Sequence, residues 1–185
     1  MSNLKEKLQK EINPKLKKEM ELKSSMECPV IEKIVINSGV GKIAVSDNDK
    51  KKELLERISK DISVITGQKP ETRPARKSIS GFKVREGMPI GYRVTLRGKK
   101  MYDFLEKLIN VAFPRIRDFK GIRKSSVDEY GNLTIGIKDQ LVFPEISPDN
   151  TELFFGLEVT IVTSTKDKER GLRLMEEIGV PFMKQ

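Results

Sequence analysis

Ile90, Tyr92, Val94 and Leu96 alternate with Gly91, Arg93, Thr95 and Arg97, so this segment is apolar on one face and basic or small on the other. A strand patterned with period two has one face to bury and one to leave in water. Leu157–Thr163 alternates in the same way. Val30–Asn37, β-branched and bounded by Pro29 and Ser38-Gly39, reads as a further strand, and Leu133–Lys138 as another after the Tyr130-Gly131-Asn132 turn. Parallel sheets covered on both sides need strands that are apolar throughout. These alternating segments instead predict a mainly antiparallel sheet with helices packed on one face and the other face open, an α+β fold.

The helices follow from a different period. Leu4, Leu8, Ile12, Leu16 and Met20 recur every fourth residue and predict an amphipathic helix over 3–22, which Pro14 should kink or restart. Its lysines suit a solvated face or RNA contact equally. Ser46-Asp47 is expected to cap a helix over about 47–66, with Leu54, Leu55, Ile58, Ile62 and Ile65 inward and Gly67 at its end. Pro70 and Pro74 then allow only an edge or irregular strand. Met101, Phe104, Leu105, Leu108, Ile109 and Ala112 mark a third helix, expected to stop at Pro114, and a last one runs from about Asp167 to Ile178. The 185 residues are expected to form one domain, 1–185, with an RNA-contacting loop over 75–91.

Charge narrows the function. The window Gly67–Lys100 holds ten basic residues against Glu71 and Glu86, a balance of +8 in a chain of net charge +9. Arg115–Lys124 adds five basic residues against Asp118. Polyphosphate backbone is the commonest partner of such a patch. With no histidine, Ser-His-Asp and Cys-His catalysis and His-bearing zinc sites are excluded, and Cys28 alone can form neither an internal disulfide nor a structural metal site. No metal or other cofactor is expected. No run of 18 apolar residues suggests a membrane span, and the N-terminal stretch mixes Glu with Lys, so neither a signal nor a transit peptide is expected. The expectation is a reduced, cytoplasmic chain with no membrane partner.

Gly39-Val40-Gly41-Lys42-Ile43-Ala44 imitates a dinucleotide fingerprint and the end of a P-loop. Ile43 stands where a P-loop needs Ser or Thr for magnesium, Ile36 stands where it needs Gly, and the helix cap is expected only at Ser46-Asp47. The glycines read as a turn leaving a strand, or as exposed amides that let another backbone approach. Arg76, Lys77, Ser78, Ser80, Gly81, Phe82 and Lys83 combine phosphate-binding, sugar-binding and stacking residues in one loop, with Phe82 either stacking on a base or tucked into the core. Arg93, Thr95 and Arg97 would give the open sheet face positive charge and a hydroxyl, suited to the shallow minor groove of an RNA helix. No paired aromatics suggest single-strand stacking on that sheet. Asp128, Glu129, Asp139, Glu145 and Asp149 are scattered and read as surface charge.

In order and spacing, PVIEKIVINSGVGK (29–42), ITGQKP (65–70), ARKSISGFKVREGMPIGYRVTLRG (75–98), FPRIRDFKGI (113–122) and GNLTIGIKDQLVFPEI (131–146) resemble the bacterial-type ribosomal protein L5 family. The resemblance runs from the N-terminal helix to Val180-Pro181-Phe182. It implies a concave antiparallel sheet backed by helices, docked on 5S rRNA in the central protuberance, with large-subunit rRNA and neighbouring protuberance proteins as further partners. It implies that Asn37, Ser38, Gly39, Val40, Gly41, Gln68 and Lys69 face 5S rRNA. The loop Ala75–Phe82, through Arg76, Lys77, Ser78, Ser80 and Gly81, would reach the elbow of P-site tRNA. Arg115, Arg117, Asp118 and Phe119 would form an intersubunit bridge with small-subunit protein thirteen. Ser38 stands where the family commonly has Met, and Glu71–Pro74 is unusually charged with an additional proline. The expected function is therefore that of a non-catalytic RNA-binding constituent of the large ribosomal subunit. The two competing readings are a phosphate-handling enzyme built on Lys and carboxylates and a membrane-surface binder using the N-terminal lysines.

Overall fold

A computed structural model describes residues 4–46, 50–147 and 153–183. Strands β1 (Ile31–Gly39), β2 (Glu71–Pro74), β3 (Pro89–Leu96), β4 (Leu133–Ile137) and β5 (Leu157–Thr163) form one antiparallel sheet in the order β2-β3-β1-β5-β4. The alternation seen in the sequence is the alternation of burial. In β4, Leu133, Ile135 and Ile137 are buried while Thr134 and Gly136 are exposed, and in β5 the buried set is Leu157, Val159, Ile161 and Thr163. The α+β expectation holds, and β2 is the edge strand that its prolines require, with its register broken between Arg73 and Pro74.

The chain divides into two compact units, one of residues 1–34, 96–135 and 160–185, the other of 35–95 and 136–159. Among the described residues, the first holds α1 (4–19), α4 (98–115) and α5 (168–178). α1 comprises Leu4–Lys7, a π-helical turn Leu8–Ile12, and Asn13–Glu19. α4 comprises Gly98–Lys107, a second π-helical turn Leu108–Ala112, and Phe113–Arg115. α5 is Lys168–Ile178, capped by Asp167, whose carboxylate accepts from Glu169 N–H at 2.9 Å.

α4 ends at Arg115, one residue past the stop predicted at Pro114, and α1 restarts as an α-helix at Asn13 and continues through Pro14 to Glu19. In α1 the Asn13 N–H bonds to Leu8 O, and in α4 the Phe113 N–H bonds to Leu108 O. Each bond spans one residue more than an α-turn and sits immediately before Pro14 or Pro114. The wider turn makes room for a ring that would otherwise strike the preceding carbonyl, so the helix runs on. α1 buries Leu4, Leu8, Ile12 and Leu16 and is tied to α5 by Lys15, whose ammonium donates to both oxygens of Glu177 at 2.7 Å.

The second unit holds α2 (Gly41–Val45) and α3 (Lys51–Thr66). α3 starts later than predicted: of the expected cap Ser46-Asp47, Ser46 instead closes α2, its N–H and hydroxyl both donating to Ile43 O, while Lys50 holds the N-cap position of α3 and Asp47, like Asp149, lies outside the described residues. Leu55, Ile58, Ile62 and Ile65 are buried, and Gly67 ends the helix at φ +65°. The Tyr92 hydroxyl donates to Leu55 O at 3.0 Å, fixing the buried face of β3 against this helix.

A candidate nucleic-acid interface

The second unit carries most of the candidate residues. Between β2 and β3 the chain forms a hairpin rather than an open loop. Ala75 N–H donates to Met88 O at 2.8 Å and Gly87 N–H returns to Ala75 O at 3.0 Å, closing the base. Glu86 N–H donates to Ser78 Oγ at 2.9 Å, and Ile79 and Val84 exchange both backbone bonds at 2.9 and 3.2 Å. The tip, Ser80–Phe82, is a single 3-10 turn closed by Lys83 at φ +52°. The residues expected in a loop are thus held at fixed places along a short stem.

Those places are solvent-facing. Arg76, Lys77, Ser78, Ser80, Gly81, Lys83 and Arg85 are exposed, and Phe82 is 73% exposed, so it does not tuck into the core. Among the described residues, neither Arg76, Lys77, Lys83 nor Arg85 is ion-paired to a carboxylate. Beside the hairpin lies an open groove of about 1140 Å³. Its lining combines apolar Val45, Ile79, Phe82, Val84 and Ile90 with cationic Lys42, Arg73, Arg76 and Lys77. The geometry therefore brings Gly41 and Lys42, from the segment after β1, onto the same groove as Arg76, Lys77 and Phe82. The sequence alone keeps these two sets apart. It also leaves Arg73, Val45 and Ile90 out, because only the hairpin's fold-back puts them there.

The segment Asn37–Gly41 is more internal than expected. Asn37 is half-buried and donates to Glu158 Oε2 at 3.4 Å. Ser38 is 1% exposed and its hydroxyl donates to Gly156 O at 2.9 Å, so no polar atom of that side chain faces solvent. Val40 is buried, with its N–H on Ile90 O at 2.9 Å. Gly39 and Gly41 differ: a Cβ built on either meets nothing within 4 Å, and neither has a positive φ. Nothing in the chain's own packing demands glycine there, and both present bare backbone. Gly41 opens α2 directly, which corrects the expectation that no helix starts at this motif, but Ile36 and Ile43 still break the P-loop pattern. Gln68 is half-buried and donates to Thr95 O at 3.4 Å, whereas Lys69 is exposed.

The strand face is less positive than its sequence suggests. Register places Glu71 of β2 directly opposite Arg93 of β3. Glu71 Oε2 accepts from Arg93 Nη2 at 3.0 Å, and Glu71 Oε1 from Arg73 Nη1 at 2.9 Å. Glu158 shares the face through Asn37. Thr95 is half-buried, and Arg97 is not on the strand at all but stands at the N-cap position of α4, in the first unit, without a side-chain capping bond. Cross-strand pairing, which no single segment reveals, thus moves the unbalanced charge of this unit from the sheet to the hairpin.

Arg115, Arg117, Asp118 and Phe119 belong to the first unit. Arg115, Arg117 and Asp118 are exposed, Asp118 turns the chain at φ +53°, and the Phe119 ring stacks on Phe113 with centroids 5.3 Å apart. Asp128 is more than surface charge. Burial pushes its carboxyl up, but hydrogen bonds from the Asn132 side chain and from the Asn132 and Tyr130 N–H groups outweigh this and hold it below the usual carboxylate value. No helix among the described residues is long and apolar enough to cross a membrane.

Residues 24–85 match the family described as Ribosomal protein L5, and residues 89–182 match the model of that ribosomal family's C-terminus. The large ribosomal subunit protein uL5 of Fusobacterium nucleatum subsp. nucleatum is 51% identical over 171 residues, which cover 92% of this chain and 91% of that protein. An α+β fold bearing a cationic hairpin is thereby joined to the class of ribosomal proteins. Within that class, the chain belongs to the ribosomal protein L5 family.

Proposed function

We propose that this protein is a non-catalytic constituent of the large ribosomal subunit, working in the bacterial cytoplasm, which binds 5S rRNA and anchors it in the central protuberance. Large-subunit rRNA and neighbouring protuberance proteins complete its surroundings. The observation that carries the reading is the pinned hairpin, whose Arg76, Lys77, Lys83 and Arg85 have no carboxylate partner among the described residues. Cations held ready at fixed spacing favour a polyanion of matching shape. The bare backbone at Gly39 and Gly41, with Lys69 exposed in the same unit, supports close approach by an RNA backbone. The hairpin is proposed to touch the P-site tRNA elbow, and Arg115, Arg117, Asp118 and Phe119 to meet small-subunit protein thirteen.

Mobility shift with 5S rRNA, tRNA and duplex DNA of equal length tests the main claim. Preferential retardation of 5S rRNA is expected, and equal retardation of all of them would overturn it. Each phosphate contact should contribute about −0.7 to −0.9 to the slope of log affinity against log salt. Lys77→Ala is expected to spare 5S rRNA binding while weakening tRNA placement on reconstituted ribosomes. Equal loss of both would mean that the shared groove is one RNA site.

A further inference from the structure

Glu71 occupies an unusual position between two arginines. Each of its carboxylate oxygens serves a different guanidinium, Arg73 Nη1 at 2.9 Å and Arg93 Nη2 at 3.0 Å. The pairing of Glu71 with Arg93 and of Arg73 with Gly91 puts all three charged side chains on one face of the sheet. The Arg93 Nε is buried and has no hydrogen-bond partner, so the carboxylate does not use all the donors that this guanidinium offers. The Glu71 side chain is 56% exposed and makes these two ion pairs.

We propose that Arg73 and Arg93 form a phosphate-binding site on the sheet of the second unit, and that Glu71 is a stand-in anion which an RNA phosphodiester displaces. The inference rests on the RNA-binding reading above and adds a site and a role to it. A guanidinium pair that accepts a bridging carboxylate presents the geometry that a phosphate's two free oxygens need. Exposed ion pairs of this kind exchange readily, because water compensates the released carboxylate. In the free protein the cluster carries two positive charges and one negative. RNA that cannot bring a phosphate within reach of both guanidiniums leaves Glu71 paired to them and meets a cluster whose charge is cut from +2 to +1. RNA of the right shape replaces the carboxylate. Glu71 therefore acts as a specificity-determining residue, lowering affinity for generic RNA more than for the cognate fold.

The test compares wild type, Glu71→Gln and the double variant Glu71→Gln with Arg73→Gln. Binding to a short blunt RNA duplex and to 5S rRNA is measured from low to physiological salt. Thermal melts establish that each variant is folded, which an exposed edge-strand position permits. Glu71→Gln is expected to raise duplex affinity about five-fold at low salt and to steepen the salt slope by about 0.7 to 0.9. The double variant, losing one charge of each sign, should return both quantities to wild-type values. An unchanged slope in Glu71→Gln overturns the proposal, as does a slope that stays steep in the double variant. A wild-type protein that binds 5S rRNA no better than the duplex would sink the 5S rRNA reading instead, while the duplex slopes still decide the role of Glu71.

Discussion

Glycine shows at single positions how this chain separates stability from binding. Gly131 has φ +75°, and a Cβ on Gly171 would run into the Gly131 backbone. Gly171→Ala must push α5 off the turn before β4. It is expected to destabilise the protein by about 1–3 kcal/mol, as overpacking at backbone contact does, measured by urea unfolding. Gly41→Ala should do the opposite: with nothing near the added methyl and a helical residue to support, stability holds or rises by up to about 1 kcal/mol, while 5S rRNA affinity falls. Loss of stability there would remove the argument that Gly41 is kept free for a partner. Asp128 gives the pH counterpart. Its carboxyl titrates below the ordinary value of 3.8 in the folded state. The stability it contributes is therefore complete above that value and lost as pH falls through the lower folded one. Asp128→Asn should reduce stability at neutral pH and flatten the acid limb of the stability profile, and an unchanged acid limb would refute this.

Elements are legible in the sequence wherever their pattern is local. Alternation alone locates β3 and β5, and the apolar set of α3 follows from helical period with Gly67 as its stop. What fails is information held between segments. Pro14 reads as a kink or a fresh start, and the π-turn that precedes it is a hydrogen-bond choice that leaves no mark in residue type. The hairpin escapes notice because Ala75, Ser78 and Ile79 pair with Met88, Glu86 and Val84 without any alternation to show it. Arg93 looks free because its partner is set by register across two strands. If the π-turn does accommodate the ring, Pro114→Ala should change stability by less than about 1 kcal/mol, far below the ~3 kcal/mol of a proline forced into a regular helix interior. A loss comparable to that larger figure would mean that the ring itself packs an essential contact.

For the whole molecule, the two compact units do not follow the chain. Strands β1, β3, β4 and β5 each have residues in both, and the two family matches meet between residues 85 and 89, in the interior of the second unit rather than at its edge. The first unit holds no complete strand, and the second holds only β2 entire. We propose that 1–185 is one cooperative domain. Far-UV circular dichroism and the calorimetric to van't Hoff enthalpy ratio are expected to report a single transition. Two resolved transitions would contradict it.

The pinned hairpin also bears on how such a chain must be handled by the cell. The backbone that carries its guanidinium and ammonium groups is paired before any RNA arrives, and among the described residues no carboxylate pairs with Arg76, Lys77, Lys83 or Arg85. A copy made in excess of its RNA would settle on whatever messenger, transfer RNA or DNA lay closest. Production matched to transcript supply, or rapid disposal of surplus chain, is the condition under which so ready a surface is harmless.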